Sequence, residues 1–181
     1  MERNVALIAL FAALIAALGL IPQLVLPFGV PVTAQSLGVM LCGTVLGARR
    51  GALAVLLFLL LVALGLPLLA GGRGGLGVFA GPTVGFLVGF PMAAFTAGLI
   101  MERWRAVPVL WAAIAGSILG GIVVLYIPGI IGLALVAGMT LPAASAAMLP
   151  FIPGDLVKAG LTGVITAGLA RARPDSLLSR R

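Results

Sequence analysis

The chain alternates long uncharged apolar runs with short clusters of charge. No Asp, Glu, Lys or Arg occurs from Asn4 to Ala48, Gly51 to Gly72, Gly74 to Met101 or Ala106 to Gly154. About 20 apolar residues cross a bilayer as a helix, so these runs hold several crossings. Proline and glycine punctuate them at Pro27 to Pro31, Pro67 to Gly75 and Pro142 to Gly154. The pattern predicts six transmembrane helices at about 5–23, 35–48, 51–68, 84–101, 107–127 (with a continuation to 139 allowed) and 154–170. The second is short and must tilt or be shielded by its neighbours. The fold class expected is an all-α polytopic membrane protein. A single membrane domain over 1–170 is followed by a basic tail over 171–181.

Arginine placement orients the spans. With six crossings, Arg3, Arg49, Arg50, Arg103, Arg105, Arg171, Arg173, Arg180 and Arg181 share one side, and only Arg73 and Lys158 fall on the other. The positive-inside rule puts the richer side, and both termini, in the cytoplasm. A seventh span within 128–152 would export the arginine-rich tail, so 140–152 is expected to dip or fold outside without crossing. Three outer segments, 24–34, 69–83 and 140–153, then roof an outward-facing pocket. Residues 5–21 lack the flanks and cleavage site of a signal peptide and are read as a helix.

Composition narrows the class further. The chain is 62% hydrophobic and 8% charged, with a mean hydropathy of +1.31, where soluble domains carry about a quarter charged residues. The net charge of +7 does not signal nucleic acid, because the arginines sit in short clusters between apolar runs and not along a continuous basic surface with interleaved aromatics. Histidine is absent and Cys42 is the single cysteine. The commonest general base and metal ligand are therefore missing, no internal disulfide can form, and Cys42 reads as a buried structural thiol. No nucleotide motif, metal cluster or Ser–His or Cys–His pair occurs, so no metal or cofactor is expected and any ATP use belongs to a partner. No internal repeat of the secondary-transporter kind stands out.

The sharpest chemical signal is Asp155 with Lys158, the only lysine in the chain. Placed at i and i+3, they share a helix face. A charge near the bilayer centre costs about 2.5–3.5 kcal/mol on insertion scales, and such groups face a cavity or each other. Asp155 could simply cap the last helix while Lys158 snorkels, but a cap leaves Lys158 unexplained. Together the pair offers an acceptor and a donor, suited to a neutral ligand with N–H and C=O groups such as a cyclic urea or amide. Elsewhere, Gly71-Gly-Arg-Gly-Gly75 allows close backbone approach, and Arg73 could pair with a carboxylate or be solvated. Thr83 is placed to cap the fourth helix and Val32-Thr-Ala-Gln35 the second; Thr33 and Gln35 lie on the pocket side. Ala9, Ala13 and Ala17 form a small-residue stripe on the first helix, suited to internal packing or to docking another membrane subunit.

Four stretches carry a family resemblance: Pro31-Val-Thr-Ala-Gln35, Gly65-Leu-Pro67 with Ala70-Gly-Gly-Arg-Gly-Gly75, Gly81-Pro-Thr-Val-Gly-Phe-Leu-Val-Gly-Phe90, and Leu149-Pro-Phe-Ile-Pro-Gly-Asp-Leu-Val-Lys158. In order along nearly the whole chain, they resemble the biotin-specific S component (BioY type) of energy-coupling factor transporters. The resemblance implies a non-catalytic, high-affinity biotin-binding subunit of the bacterial cytoplasmic (inner) membrane. It implies association with a transmembrane coupling subunit, through Ala9, Ala13 and Ala17, and with two ATPase subunits. ATP would be used only by those partners, to reorient the S component. Asp155 and Lys158 would meet the ureido ring, with Gln35 and Thr33 on the pocket side. Gly72 and its glycine-rich loop would lie near the valerate tail, and Phe79, with Phe86, would form an apolar wall. Arg73 stands where the family leads us to expect an amide or small polar residue. An S component for another vitamin, or an intramembrane enzyme with Asp155 as base, are the alternatives.

Overall fold

The computed structural model describes residues 2–25 and 31–180. The helices, in order, are α1 (Glu2–Leu18), α2 (Gln35–Leu46), α3 (Ala48–Ala63), α4 (Val84–Arg103), α5 (Val109–Ile118), α6 (Leu125–Val136), α7 (Leu141–Ala146) and α8 (Ile152–Ala172). Two two-residue strands, β1 (Leu24–Val25) and β2 (Pro31–Val32), pair antiparallel with Leu24 opposite Val32. The expected break over Pro27–Val30 lies outside the described residues.

The helices are apolar on nearly every face, so hydrophobicity alone cannot choose which face is buried when lipid competes for it. Small residues choose instead, by letting backbones approach. A Cβ on Gly43 of α2 would strike the Ala94 carbonyl of α4, and one on Gly98 would strike the α2–α3 turn at Gly47–Ala48. Gly85 of α4 meets the Pro128 carbonyl of α6. These seams place α4 against α2, α3 and α6, at the middle of the bundle. They also fix direction. Along α2, Gly43 then Gly47 meet Ala94–Gly98 then Glu102, so α2 and α4 run parallel. Along α4, Gly85, then Gly89, then Ala93 meet residues 128–132, 125–128 and 120, so α4 and α6 run antiparallel.

A polar ladder joins α2 to α8. Ser36 meets Asp155 and Lys158, the Thr162 hydroxyl points at the Met40 sulfur, and Thr44 shares a 3.0 Å hydrogen bond with Thr166. Both sequences ascend together, so α2 and α8 are parallel. Hydrogen bonds of this kind add register to packing where lipid offers no polar partner.

α5 and α6 are one continuous helix, Val109–Val136, joined through a π-helical segment at Leu119–Val124. The continuation past 127 is therefore the case, and Pro128 lies inside the helix. Proline lacks the N–H that would bond four residues back; the π segment ends at Val124, the carbonyl so released. Three helical stretches are long and apolar enough to cross a membrane: Val84–Arg103, Val109–Val136 and Leu141–Ala172. α1, α2 and α3 are shorter than predicted at their ends. α1 stops at Leu18 and not 23, and α3 at Ala63 and not 68, where Gly65 takes a φ of 104°.

The capping positions differ from those expected. Thr83 makes no side-chain cap bond; its φ/ψ of −86°/0° is helical, whereas a cap needs an extended residue to aim its oxygen at the next turn. Asp155 is not a cap either, because α8 begins three residues earlier at Ile152. At α2 the cap position is Ala34, with no side-chain cap bond; Thr33, one residue earlier, accepts the Gln35 backbone N–H at 3.3 Å. Cys42 is fully buried, as expected. The basic tail does not stand free. Leu177, Leu178 and Ser179 are buried against the end of α2, and Arg180 donates to the carbonyls of Trp104, Arg105 and Val107 at 2.9–3.0 Å.

Candidate functional site

The start of α8 builds the site. Pro150, near the start of a 3-10 turn over Leu149–Phe151, and Pro153, in the first turn of α8, fit positions where a missing N–H costs nothing. Asp155 then falls on the face of α8 that meets α2 and α6. It is almost wholly buried, at 4% exposure. Its Oδ1 accepts Lys158 Nζ at 2.8 Å and its Oδ2 accepts the Tyr126 hydroxyl at 2.8 Å. The Lys158 ammonium also donates to Ser36 Oγ at 3.0 Å, and Ser36 Oγ lies 3.5 Å from Asp155 Oδ1. The predicted pair is thus a four-residue network from three helices, α2, α6 and α8.

The network has the pairing that a buried charge requires. Removing one partner of a buried ion pair leaves the other uncompensated, and here each charge also has a hydroxyl partner. A carboxylate has about four acceptor positions and an ammonium three donors. After the internal bonds, Asp155 retains acceptor capacity and Lys158 a donor. Both line one partly open cavity.

One wall of that cavity is apolar and aromatic: Phe86, Leu87 and Phe90 from α4, Leu125 from α6, and Phe151 ahead of α8. The other side is set by the start of α2 and the loop after α3. Gln35 holds that loop in place. Its Nε2 donates to the carbonyls of Ile15 (3.1 Å) and Leu68 (3.0 Å), and its Oε1 accepts the Ala70 N–H at 3.0 Å. The loop then turns through Gly71 and Gly72, whose φ values of 78° and 69° are left-handed. Leu69 and Arg73 pair across the turn. Arg73 is thereby brought to the cavity, its Nε donating to the Ala70 carbonyl at 3.2 Å. Its two terminal nitrogens make no other hydrogen bond among the described residues.

Of the predicted binding residues, Asp155, Lys158, Arg73, Gln35 and Thr33 converge on this cavity. Gly72 and Phe79 do not line it. Gly72 borders a separate cleft beside Arg73, and Phe79 sits in a 3-10 turn (Leu76–Ala80), packed on the core. The sequence reading missed Ser36 and Tyr126. Tyr126 is the only tyrosine and stands in an otherwise apolar run, a signal of the same kind as the lone lysine. Ser36 carried no comparable mark. Among the described residues, no group of three or more His, Cys, Asp or Glu could hold a metal ion.

Ala9, Ala13 and Ala17 are all exposed on the face of α1 opposite Ala12 and Ile15, which are buried. The stripe therefore does not serve packing within this bundle.

Comparison with known proteins gives a consistent result. Residues 2–175 match the model of the BioY family. The chain is 60% identical to the biotin transporter BioY of Rhodobacter capsulatus, over 99% of this chain and all of that one. It is 53% identical to the biotin transporter BioY of Rhizobium etli, over 94% of this chain and 92% of that one. Among solved structures, a crystal structure of the S-component for biotin from an ECF-type ABC transporter superposes with a TM-score of 0.89 at 31% identity, covering 94% of this chain and 92% of that chain. On sequence and on fold, the chain belongs to the BioY family.

Proposed function

We propose that this protein is the biotin-binding S component of an energy-coupling factor transporter, a non-catalytic subunit for biotin uptake. The observation that carries the reading is the buried Asp155–Lys158 pair, steadied by Ser36 and Tyr126 and facing a cavity that also holds Arg73. A ureido ring has two N–H donors and one carbonyl acceptor. Asp155 accepts from the ring and Lys158 donates to its carbonyl. The apolar bicycle packs on Phe86, Phe90 and Phe151. Arg73 pairs with the carboxylate of the tail, its planar fork suited to that group. Thr33 and Gln35 act differently. Gln35 has its amide committed to the fold, so its part is to position the Arg73 loop, and Thr33 supports the start of α2. Gly72 permits the turn and Phe79 backs the loop, both without touching ligand.

The same reading sets the protein in the bacterial cytoplasmic membrane as a multi-pass chain of six crossings: α1, α2, α3, α4, the α5–α6 helix and α8. The parallel run of α2, α4 and α8 and the antiparallel α4–α6 seam support that alternation. Arginine placement puts both termini inside and the cavity outside. The exposed alanine stripe on α1 is the docking face for a transmembrane coupling subunit, which carries two ATPases. ATP is used by those partners, and this chain needs no cofactor of its own.

The test is ligand titration on the purified protein in nanodiscs, with biotin and desthiobiotin, which share the ureido ring, against riboflavin and thiamine. Saturable one-to-one binding of the first two alone is expected. Preference for an unrelated vitamin, or covalent change of the ligand, would overturn the reading.

A further inference from the structure

At the end of α2 remote from the cavity, a second cleft has a different chemistry. It is lined by Arg49 and Arg50 at the start of α3, by Arg103 and Glu102 at the end of α4, and by Phe95 and Leu99 on the same stretch of α4. Its volume is about 940 Å³, its open mouth included. The site is built and not incidental. Gly47 takes a φ of 87° to turn the chain, Gly98 lets α4 approach that turn closely, and Glu102 Oε1 accepts the Ala48 N–H at 2.9 Å. These contacts fix the backbone of the two helix ends that carry Arg49, Arg50 and Arg103 around one opening.

None of the three has a hydrogen-bond or ion-pair partner among the described residues. The one carboxylate present, Glu102, is engaged with the backbone. Arg49 and Arg50 also occupy the first turn of α3, where a helix dipole disfavours cations. Helix stability therefore does not account for them. The positive-inside rule asks for arginines in this loop, but it does not ask that they converge on one cleft with Arg103. Beyond the arginines the lining becomes apolar. Phe95, 41% exposed, and Leu99 form it; outside the cleft, Leu53 and Leu56, one and two turns on from Arg49, are exposed as well. Cationic head and apolar stem lie in the order in which a lipid presents its phosphate and its acyl chains.

We propose that this cleft is a binding site for an anionic phospholipid, with the phosphate held by Arg49, Arg50 and Arg103 and an acyl chain laid along Phe95 and Leu99. Arginine suits the role because its fork bonds phosphate oxygens in pairs, and basic pockets between membrane helices hold anionic headgroups on general electrostatic grounds. The site is independent of the outer cavity and of what that cavity binds.

The experiment is native mass spectrometry of the purified protein, delipidated and then titrated with phosphatidylglycerol, phosphatidylcholine or free glycerol phosphate. Retention of phosphatidylglycerol at least tenfold tighter than phosphatidylcholine is expected. The triple variant R49Q/R50Q/R103Q should lose that preference while ligand binding at the outer cavity is unchanged. Leu99→Trp keeps every charge, and so the orientation in the membrane, but fills the cleft; it should lose the same lipid, and it decides the matter should the triple variant fail to insert. Equal retention of the two lipids, or undiminished phosphatidylglycerol binding in both variants, would overturn the proposal. So would glycerol phosphate binding as tightly as the lipid, which would make the cleft a free-anion site. Loss of the coupling subunit from the triple variant with lipid retention intact would make it a protein interface.

Discussion

Asp155→Asn is the perturbation with the most to say about the site. The side chain keeps its shape, but one oxygen becomes an NH₂ group. In the native network Oδ1 serves Lys158 and Oδ2 serves Tyr126, each at 2.8 Å. With a single amide oxygen left, Tyr126 and Lys158 compete for it, and the new donor faces either the ammonium or a ligand N–H. Lys158, whose side chain is only 15% exposed, loses its counter-charge. A hydrogen bond to a charged group contributes about 1.5–3 kcal/mol, which corresponds to roughly 10–150-fold in affinity. Biotin should therefore bind at least about tenfold more weakly. Lys158→Met, which keeps length and removes the donor, should fall in the same range. The double variant should lose less than the sum of the two, because each single change already strands the other partner. The assay is equilibrium binding of labelled biotin to protein in nanodiscs, with circular dichroism and gel filtration to establish that the variants are folded. Wild-type affinity in both folded single variants would refute the reasoning and leave the pair as a structural ion pair with the ligand elsewhere.

Other outcomes follow from the same structure. Gln35→Ala removes three hydrogen bonds that tie the Arg73 loop to α1 and α2. At about 1 kcal/mol each, it should lower Tm in detergent by on the order of 5–10 °C and speed biotin release; an unchanged Tm would show the loop is held otherwise. Ala13→Leu, on the exposed face of α1, should abolish co-purification with the coupling subunit and spare biotin binding; loss of binding with normal association would reverse the assignment. A cysteine at exposed Arg173 should resist impermeant maleimide in intact cells, with buried Cys42 as a silent background; efficient labelling there would mean an odd number of crossings.

The sequence carried the fold to the extent that charge is expensive in a membrane. Runs without charge located the helices, and arginines flanking them fit alternating crossings, because both follow from the cost of burying ions and unpaired backbone. Helix ends were less legible. α1 and α3 stop about one turn before their apolar runs do, and the leucines just beyond them, Leu20 and Leu64, are exposed: hydrophobicity marks an apolar run without marking where the helix within it ends. The Val109–Val136 helix runs through Pro128, with a π segment just before it that ends at Val124, an arrangement no local propensity reveals. In the site, Asp155 and Lys158 stood out because a charge in an apolar run has few explanations. Ser36 and Tyr126 emerge only when α2, α6 and α8 are packed together. Gln35 was visible as polar and pocket-facing, but its use as a loop clamp depends on three backbone groups distant in sequence. Gly72 and Phe79 fall outside the cavity lining for a related reason: of the glycine-rich loop, only Arg73 reaches that lining.

The most direct measurement is a structure determined with biotin bound. The account predicts the ureido ring within hydrogen-bond distance, about 3 Å, of the Asp155 carboxylate and the Lys158 ammonium, with the carboxylate end directed toward Arg73. Biotin lodged elsewhere, or turned so that its carboxylate meets Lys158 and its ureido ring lies away from Asp155, would contradict it.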